Sequence, residues 1–207
     1  MEVLSFWGNG FASNTYLLIN NSDAVIIDAS AFAPVVETCQ NRNLNVQAII
    51  LTHGHFDHTL ELFKLKEKFN APIYIHENDA VMLSDGYLSA YNVFFDNFHY
   101  SLRPTPDHII SDYGVLKFGN IFLNYKSLPG HTSGSTVFYT EDIMFTGDVL
   151  FANSIGRCDL PGSDATQMKE SLDFFVSLPR NYQIYSGHGP NADIEYIKKF
   201  NYYLKGI

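Results

Sequence analysis

Cysteine is scarce in this 207-residue chain, which has only Cys39 and Cys158. Two residues cannot build a disulfide framework, so a reducing compartment is the expected setting. Positive charge is scarce as well. Thirteen Lys and Arg stand against 22 Asp and Glu, for a formal charge of −9. The basic residues are scattered, which argues against a binding face for a nucleic-acid backbone. Long hydrophobic runs are missing: no stretch approaches the length of a membrane span, and Met1-Glu2-Val3-Leu4-Ser5-Phe6 lacks a basic segment followed by an apolar one. Internal repeats and low-complexity linkers are also missing. The expectation is a soluble, cytoplasmic protein that works on a small molecule, with neither nucleic acid nor membrane as partner. At 23.4 kDa and 46% hydrophobic residues, the chain is expected to form one domain over 1–207 with a sizeable core.

What the chain does have is histidine placed at the ends of apolar runs. Val46-Gln47-Ala48-Ile49-Ile50-Leu51 reads as a buried strand, and Leu60-Glu61-Leu62-Phe63-Lys64-Leu65-Lys66 reads as a helix. Between them lies Thr52-His53-Gly54-His55-Phe56-Asp57-His58-Thr59. Crowding three His and an Asp into a strand-to-helix turn has no packing rationale, whereas borderline metals accept imidazole nitrogen and carboxylate oxygen. Gly54 gives the backbone freedom to bend there.

Three later residues repeat the arrangement of strand, glycine-flanked turn and candidate ligand. They are His131 in Leu128-Pro129-Gly130-His131-Thr132, Asp148 in Phe145-Thr146-Gly147-Asp148, and His188 in Gly187-His188-Gly189-Pro190. With Asp148 as a bridge, two sets of three form around it: His53, His55 and His131, then Asp57, His58 and His188. Two divalent ions about 3.5–4 Å apart can share such a bridge. Asp28, at the end of Ala24-Val25-Ile26-Ile27, reads as a turn or helix cap, or else as a carboxylate that supports a ligand. His76, after Ala71-Pro72-Ile73-Tyr74-Ile75, reads as structural.

The remaining elements are expected as follows. Short strands cover 3–6, 15–19, 24–27, 71–76, 116–118, 121–125, 136–139, 143–145 and 183–185. Helices are expected from Pro34 to about Asn43, from Thr59 to about Phe69, from Glu77 to Leu83, from Ala165 to Leu178, and after a cap at Asn191. The interval 84–106 has no period and carries Tyr87, Tyr91, Phe94, Phe95, Phe98 and Tyr100. It reads as a loop insertion whose aromatics form a substrate-facing wall, a dimer contact or a satellite core.

Thr52-His53-Gly54-His55-Phe56-Asp57-His58 resembles the signature of the metallo-β-lactamase-fold hydrolases. Pro129-Gly130-His131-Thr132-Ser133-Gly134-Ser135, Phe145-Thr146-Gly147-Asp148 and Gly187-His188-Gly189-Pro190 resemble its other ligand motifs. Ser154-Ile155-Gly156-Arg157-Cys158-Asp159-Leu160-Pro161-Gly162 is similar to the stretch after the bridging Asp in short glyoxalase II-like (hydroxyacylglutathione hydrolase-like) members. The resemblance implies an α/β fold: a four-layer αββα sandwich of two mixed β-sheets flanked by helices, with the metal site along one edge. It also implies two divalent ions, Zn2+ being expected and Fe or Mn compatible with the same donors. The implied activity is hydrolysis of small acyl thioesters by a metal-bound hydroxide, with Asp57 and Asp148 in catalytic roles. The chain departs from glyoxalase II in ending soon after His188, with Asn201-Tyr202-Tyr203-Leu204 in place of a C-terminal helical domain. Arg157 either meets a substrate carboxylate or pairs with Asp159. Cys158 stands where Thr is usual and is read as near-isosteric, not as a nucleophile. The other readings are a lactone or ester hydrolase on the same site, a mononuclear iron persulfide dioxygenase, and a non-catalytic interaction protein stabilised by metal. A monomer or a homodimer is compatible with all of them.

Overall fold

The computed structural model describes residues 1–7, 10–95 and 103–205; Phe98 and Tyr100 of the aromatic interval fall outside that range. The N-terminal half opens with β1 (Glu2–Phe6), β2 (Thr15–Asn20) and β3 (Asp23–Ile27), followed by α1 (Ala33–Asn41) and β4 (Asn45–Ile50). A 3-10 turn, Phe56–His58, leads into α2 (Leu62–Phe69), β5 (Ile73–His76), a second 3-10 turn at Ala80–Leu83, the short α3 (Tyr91–Phe94) and β6 (His108–Ile110). The second half holds β7 (Tyr113–Phe118), β8 (Ile121–Ser127), β9 (Thr136–Tyr139), β10 (Ile143–Gly147) and α4 (Ala165–Val176). It closes with β11 (Gln183–Ser186), β12 (Ala192–Asp193) and α5 (Ile194–Phe200).

Two six-stranded sheets result, ordered β1-β2-β3-β4-β5-β6 and β12-β11-β10-β9-β8-β7. Both are mixed: β3, β4, β5 and β6 run parallel, and so do β10 and β11, while the other pairs are antiparallel. The two-residue period of β2 shows how the layers form. Leu17 and Ile19 face outward onto Val35 and Cys39 of α1 and Leu62 and Leu65 of α2. Tyr16 and Leu18 face inward, where they meet Phe138 and Phe145 of the second sheet. On that sheet's outer face, Met144 and Ile184 pack under Met168, Leu172 and Phe175 of α4 and Ile194 and Ile197 of α5. The architecture is therefore the expected four-layer αββα sandwich. A one-residue slip of β2 would exchange its two buried faces, so the register is firmly set.

Four details differ from the sequence expectation. The helix expected from Thr59 begins at Leu62, because residues 56–58 form a tight turn that aims side chains at the site. The helix expected over 77–83 is only a 3-10 turn at Ala80–Leu83. The last helix is capped by Asp193, whose carboxylate accepts from the Tyr196 amide, not by Asn191; residues 192–193 pair with β11 first. Strand β6 has no counterpart in the sequence expectation, since three residues after Pro106 are too few for a period to show.

Candidate metal centre

All seven expected ligand residues come together where the parallel strands end. His53, His55, Asp57 and His58 follow β4, and Asp148 follows β10. His188 follows β11, and His131 lies in the connection from β8 to β9. Crevices at the carboxyl ends of parallel strands are where α/β sheets bind ligands. Three overlapping groups of donor atoms form there, each within 4.8 Å: His53, His55 and His131; His53, His58 and Asp148; Asp57, His58 and His188. His76 joins none of them. It is buried, and its Nδ1 accepts a hydrogen bond from the Asn78 amide at 3.2 Å, in keeping with a structural role.

His58 and His131 are each aimed by a partner on the far side of the ring. His58 Nδ1 donates to Asp28 Oδ2 at 2.8 Å, leaving Nε2 to face Asp148 Oδ1 at 3.2 Å. His131 Nδ1 donates to the Arg157 carbonyl at 2.8 Å, and its Nε2 points at His55 Nδ1, 2.9 Å away. His188 Nε2 is 3.1 Å from Asp57 Oδ2 and 3.5 Å from Asp148 Oδ2. Asp28 is thus no helix cap. It adopts a left-handed φ of 58°, and its carboxylate takes the Thr52 amide at 2.8 Å and the Thr52 hydroxyl at 2.9 Å besides His58. Such outer partners fix tautomer and orientation.

Asp79 is the residue that sequence reading missed. It is fully buried and accepts from Gly54 N at 3.0 Å, Thr132 Oγ1 at 2.7 Å and Gly134 N at 2.8 Å. One carboxylate therefore ties the His53–His55 turn to the His131 loop. Burial pushes its pKa up, and those three hydrogen bonds pull against the rise. In the sequence the Asn78-Asp79 pair reads as part of a short helix after β5, and nothing there shows what it reaches.

Two of the glycines packed against the candidate ligands leave no room for a side chain. A Cβ on Gly187 would run into the Asp148 carboxylate and come within 2.7 Å of His58 Cε1, and one on Gly156 would strike the His131 ring. Arg157 follows Gly156 and lines the cavity. Its guanidinium forks onto Asp159, with Nε–Oδ1 at 2.5 Å and Nη2–Oδ2 at 2.7 Å, so the pairing alternative is the one observed.

A cation fits this set of donors. His53 Nε2, His55 Nε2, His58 Nε2 and Asp148 Oδ1 are buried without a hydrogen-bond partner, a cost that coordination removes. Charge points the same way. Burial, reinforced by the neighbouring imidazoles, pushes His53 well below its ordinary pKa, and burial with His131 takes His55 down to about 3, so both are neutral donors. Burial also opposes a proton on His58, but Asp28, Asp148 and Asp57 outweigh it and raise its pKa well above the ordinary value. For Asp148 burial favours the acid, and His58 and His188 overturn that, holding it well below the usual carboxylate range. Surplus carboxylate charge draws a proton onto His58, at a point where a metal ion would supply the same charge.

Fold and centre together define a metal-dependent hydrolase, and the chain belongs to the metallo-β-lactamase superfamily, whose family model matches residues 8–188. Among its relatives is the probable metallo-hydrolase YqgX of Bacillus subtilis, 32% identical over 199 residues that cover 94% of this chain and 93% of that protein. Among solved structures, the BLEG-1 B3 metallo-β-lactamase superposes with a TM-score of 0.92 at 31% identity, covering 99% of this chain and 100% of the other. TTHA1623, crystallised in a di-iron-bound form, gives 0.84 at 29% identity with the same coverage. Among the described residues, no helix is long and apolar enough to cross a membrane.

Proposed function

We propose that this chain, as a single domain, is a dinuclear hydrolase of small acyl thioesters, resembling glyoxalase II in its centre. His53, His55 and His131 would hold one ion, and Asp57, His58 and His188 the other, with Asp148 shared. The observation that carries this reading is the chain of three donor groups, linked through His53 and His58, with four of their buried atoms lacking a hydrogen-bond partner. Zn2+ suits the nitrogen and oxygen donors, and Fe or Mn suits them as well. The di-iron form of TTHA1623 supports a two-ion centre in this architecture.

Bound there, divalent cations supply Lewis acidity and a nucleophilic hydroxide at neutral pH. The chain's own residues do the rest. Asp57 lines the cavity and is largely removed from solvent; it orients the attacking water by accepting its proton in a hydrogen bond. Asp28 and the Arg157 carbonyl hold the Nδ1 protons of His58 and His131, so that both Nε2 atoms stay turned toward the centre. In the net reaction the water oxygen bonds to the acyl carbon and the carbon–sulfur bond breaks, giving an acid and a thiol. A thiol with a pKa near 8.5 departs as thiolate without strong acid help, so the reaction needs no dedicated general acid beside Asp57. His58 and His188 complete the second donor group, which supports two ions over a mononuclear iron oxygenase.

The test is metal content of protein isolated without chelator, paired with hydrolysis assays on a thioester, a lactone and a β-lactam. The β-lactam belongs in the panel because of the likeness to BLEG-1. Two ions per chain with thioester turnover that disappears in Asp148→Ala supports the reading. One iron per chain with no hydrolysis overturns it.

A further inference from the structure

The cavity over the centre, about 440 Å³, is walled on its free side by Phe11, Phe56, Phe94, Phe151, Ile155 and Leu160. Apart from the five candidate ligands that border it, Arg157 is the only polar side chain lining it among the described residues. Two of its donors go to Asp159, and its guanidinium rests 5.7 Å from the centre of the Phe94 ring.

The wall is built from four separate segments, with Phe151, Ile155 and Leu160 coming from the β10–α4 connection. Phe11 comes from the β1–β2 connection, Phe56 from the ligand turn itself, and Phe94 and Phe95 from α3 and its end. Phe11 packs on Phe94 and Phe95 with ring centres 5.9 and 5.8 Å apart. Phe56 packs on the same two rings at 6.0 and 5.7 Å. The Phe56 amide donates to the Ser89 carbonyl at 3.0 Å, so the segment leading to α3 is fastened to the residue between His55 and Asp57. Phe11 is 59% exposed and Phe94 41% exposed, although Phe94 packs on the buried Phe56 and Phe11 on Phe94 and Phe95. Exposed aromatics at the mouth of a reactive cavity are surface awaiting an apolar occupant.

We propose that this wall is the acyl subsite, and that it selects thioesters with an apolar acyl chain or an aromatic acyl group over short 2-hydroxyacyl groups. The inference rests on the thioesterase reading above and names the substrate class for that centre. Apart from the candidate ligands, a hydroxyl on the carbon next to the carbonyl would meet, among the described residues, only the Arg157 side chain, which is already forked onto Asp159, and burying a poorly paired hydroxyl is costly. A methylene entering the same wall gains the free energy of leaving water.

The experiment uses metal-loaded protein and N-acetylcysteamine thioesters from acetyl to octanoyl, together with phenylacetyl and 2-hydroxypropionyl. The expected kcat/KM rises about fourfold per methylene as far as hexanoyl. The 2-hydroxypropionyl ester is expected to lag propionyl by about tenfold. In the doubly substituted Phe11→Ala, Phe94→Ala protein the slope of the series should flatten. A flat series in the wild type, or 2-hydroxypropionyl ahead of propionyl, overturns the subsite and leaves the thioesterase reading standing. Absence of turnover on every ester sinks the thioesterase reading instead. The subsite is then judged by calorimetry with the uncleavable S-alkyl ethers of the same thiol: affinity that climbs from ethyl to hexyl and falls in the double variant upholds it, and length-independent affinity refutes it.

Discussion

Replacing Asp79 by Asn tests whether one buried carboxylate holds the two ligand loops in place. Gly54 N and Thr132 Oγ1 both donate to Oδ2, and Gly134 N donates to Oδ1. An asparagine amide keeps a single acceptor oxygen. Whichever way it turns, its NH2 group faces a backbone N–H, of Gly54 or of Gly134. One buried donor left unpaired costs about 1–3 kcal/mol, so the substitution should destabilise the metal-free protein by roughly 2 kcal/mol. The loss should not stop at stability. Gly54 lies between His53 and His55, and Gly134 lies three residues after His131. Loosening both should weaken cation binding about tenfold, the low end of what supporting partners of ligands contribute. Urea unfolding of metal-free protein gives the first number, and a chromophoric-chelator competition with Zn2+ gives the second. Metal-loaded protein should lose more stability than metal-free protein, because the weaker binding adds to the direct cost. An Asp79→Asn protein within about 0.5 kcal/mol of wild type, with unchanged Zn2+ affinity, would refute the reasoning about that residue.

Loading the centre at pH 7 should release protons. His58, raised well above its ordinary pKa, holds a proton in the metal-free protein and His188 is raised as well, whereas His53 and His55 are lowered and hold none. Calorimetric titration with Zn2+ in buffers of different ionisation enthalpy should give roughly one to two protons per chain, and a value of zero would contradict the charge balance described here. Gly187→Ala forces a methyl group against Asp148 and His58; the expected outcome is a fall in metal stoichiometry on gel-filtered protein, with near-normal far-UV dichroism. Asp28→Asn removes the carboxylate behind His58 Nδ1, and metal affinity should drop about 10–100-fold, read by the same competition assay.

The site was legible in the sequence to a greater degree than the scaffold around it. Each ligand candidate follows a short β-rich run and has glycine beside or near it, so local pattern alone flagged His131, Asp148 and His188 as counterparts of the His53–His58 cluster. The layers followed from the same periodicity, since residues such as Leu17 and Leu18 must part to opposite faces of a strand. What stayed hidden depends on contacts between distant segments. Asp79 meets Thr132 and Gly134 more than fifty positions away, and its neighbours suggest only the start of a short helix. Asp28 was ambiguous because a carboxylate at a strand end looks the same whether it caps a helix or steadies an imidazole. Strand β6 is visible only through its pairing with β5. The shift of the final cap from Asn191 to Asp193 has the same origin, since the β11–β12 pairing claims the residues between.

The donors are divided between the two sheets. His53, His55, Asp57 and His58 leave the first, and His131, Asp148 and His188 leave the second. A cation held by this set is therefore a cross-link between halves of the chain that lie far apart in sequence. Closing such a long loop restricts the unfolded ensemble far more than a cation held within one turn would. The sandwich already carries a weaker seam at the same edge, where the Asn14 amide donates to the Gly187 carbonyl at 2.7 Å and the Tyr16 hydroxyl to the Ser186 carbonyl at 2.5 Å. Removing the cation takes the clasp from that seam. Hydrogen exchange in β2 and β11 should respond together to a chelator, the two strands behaving as facing edges of one hinge.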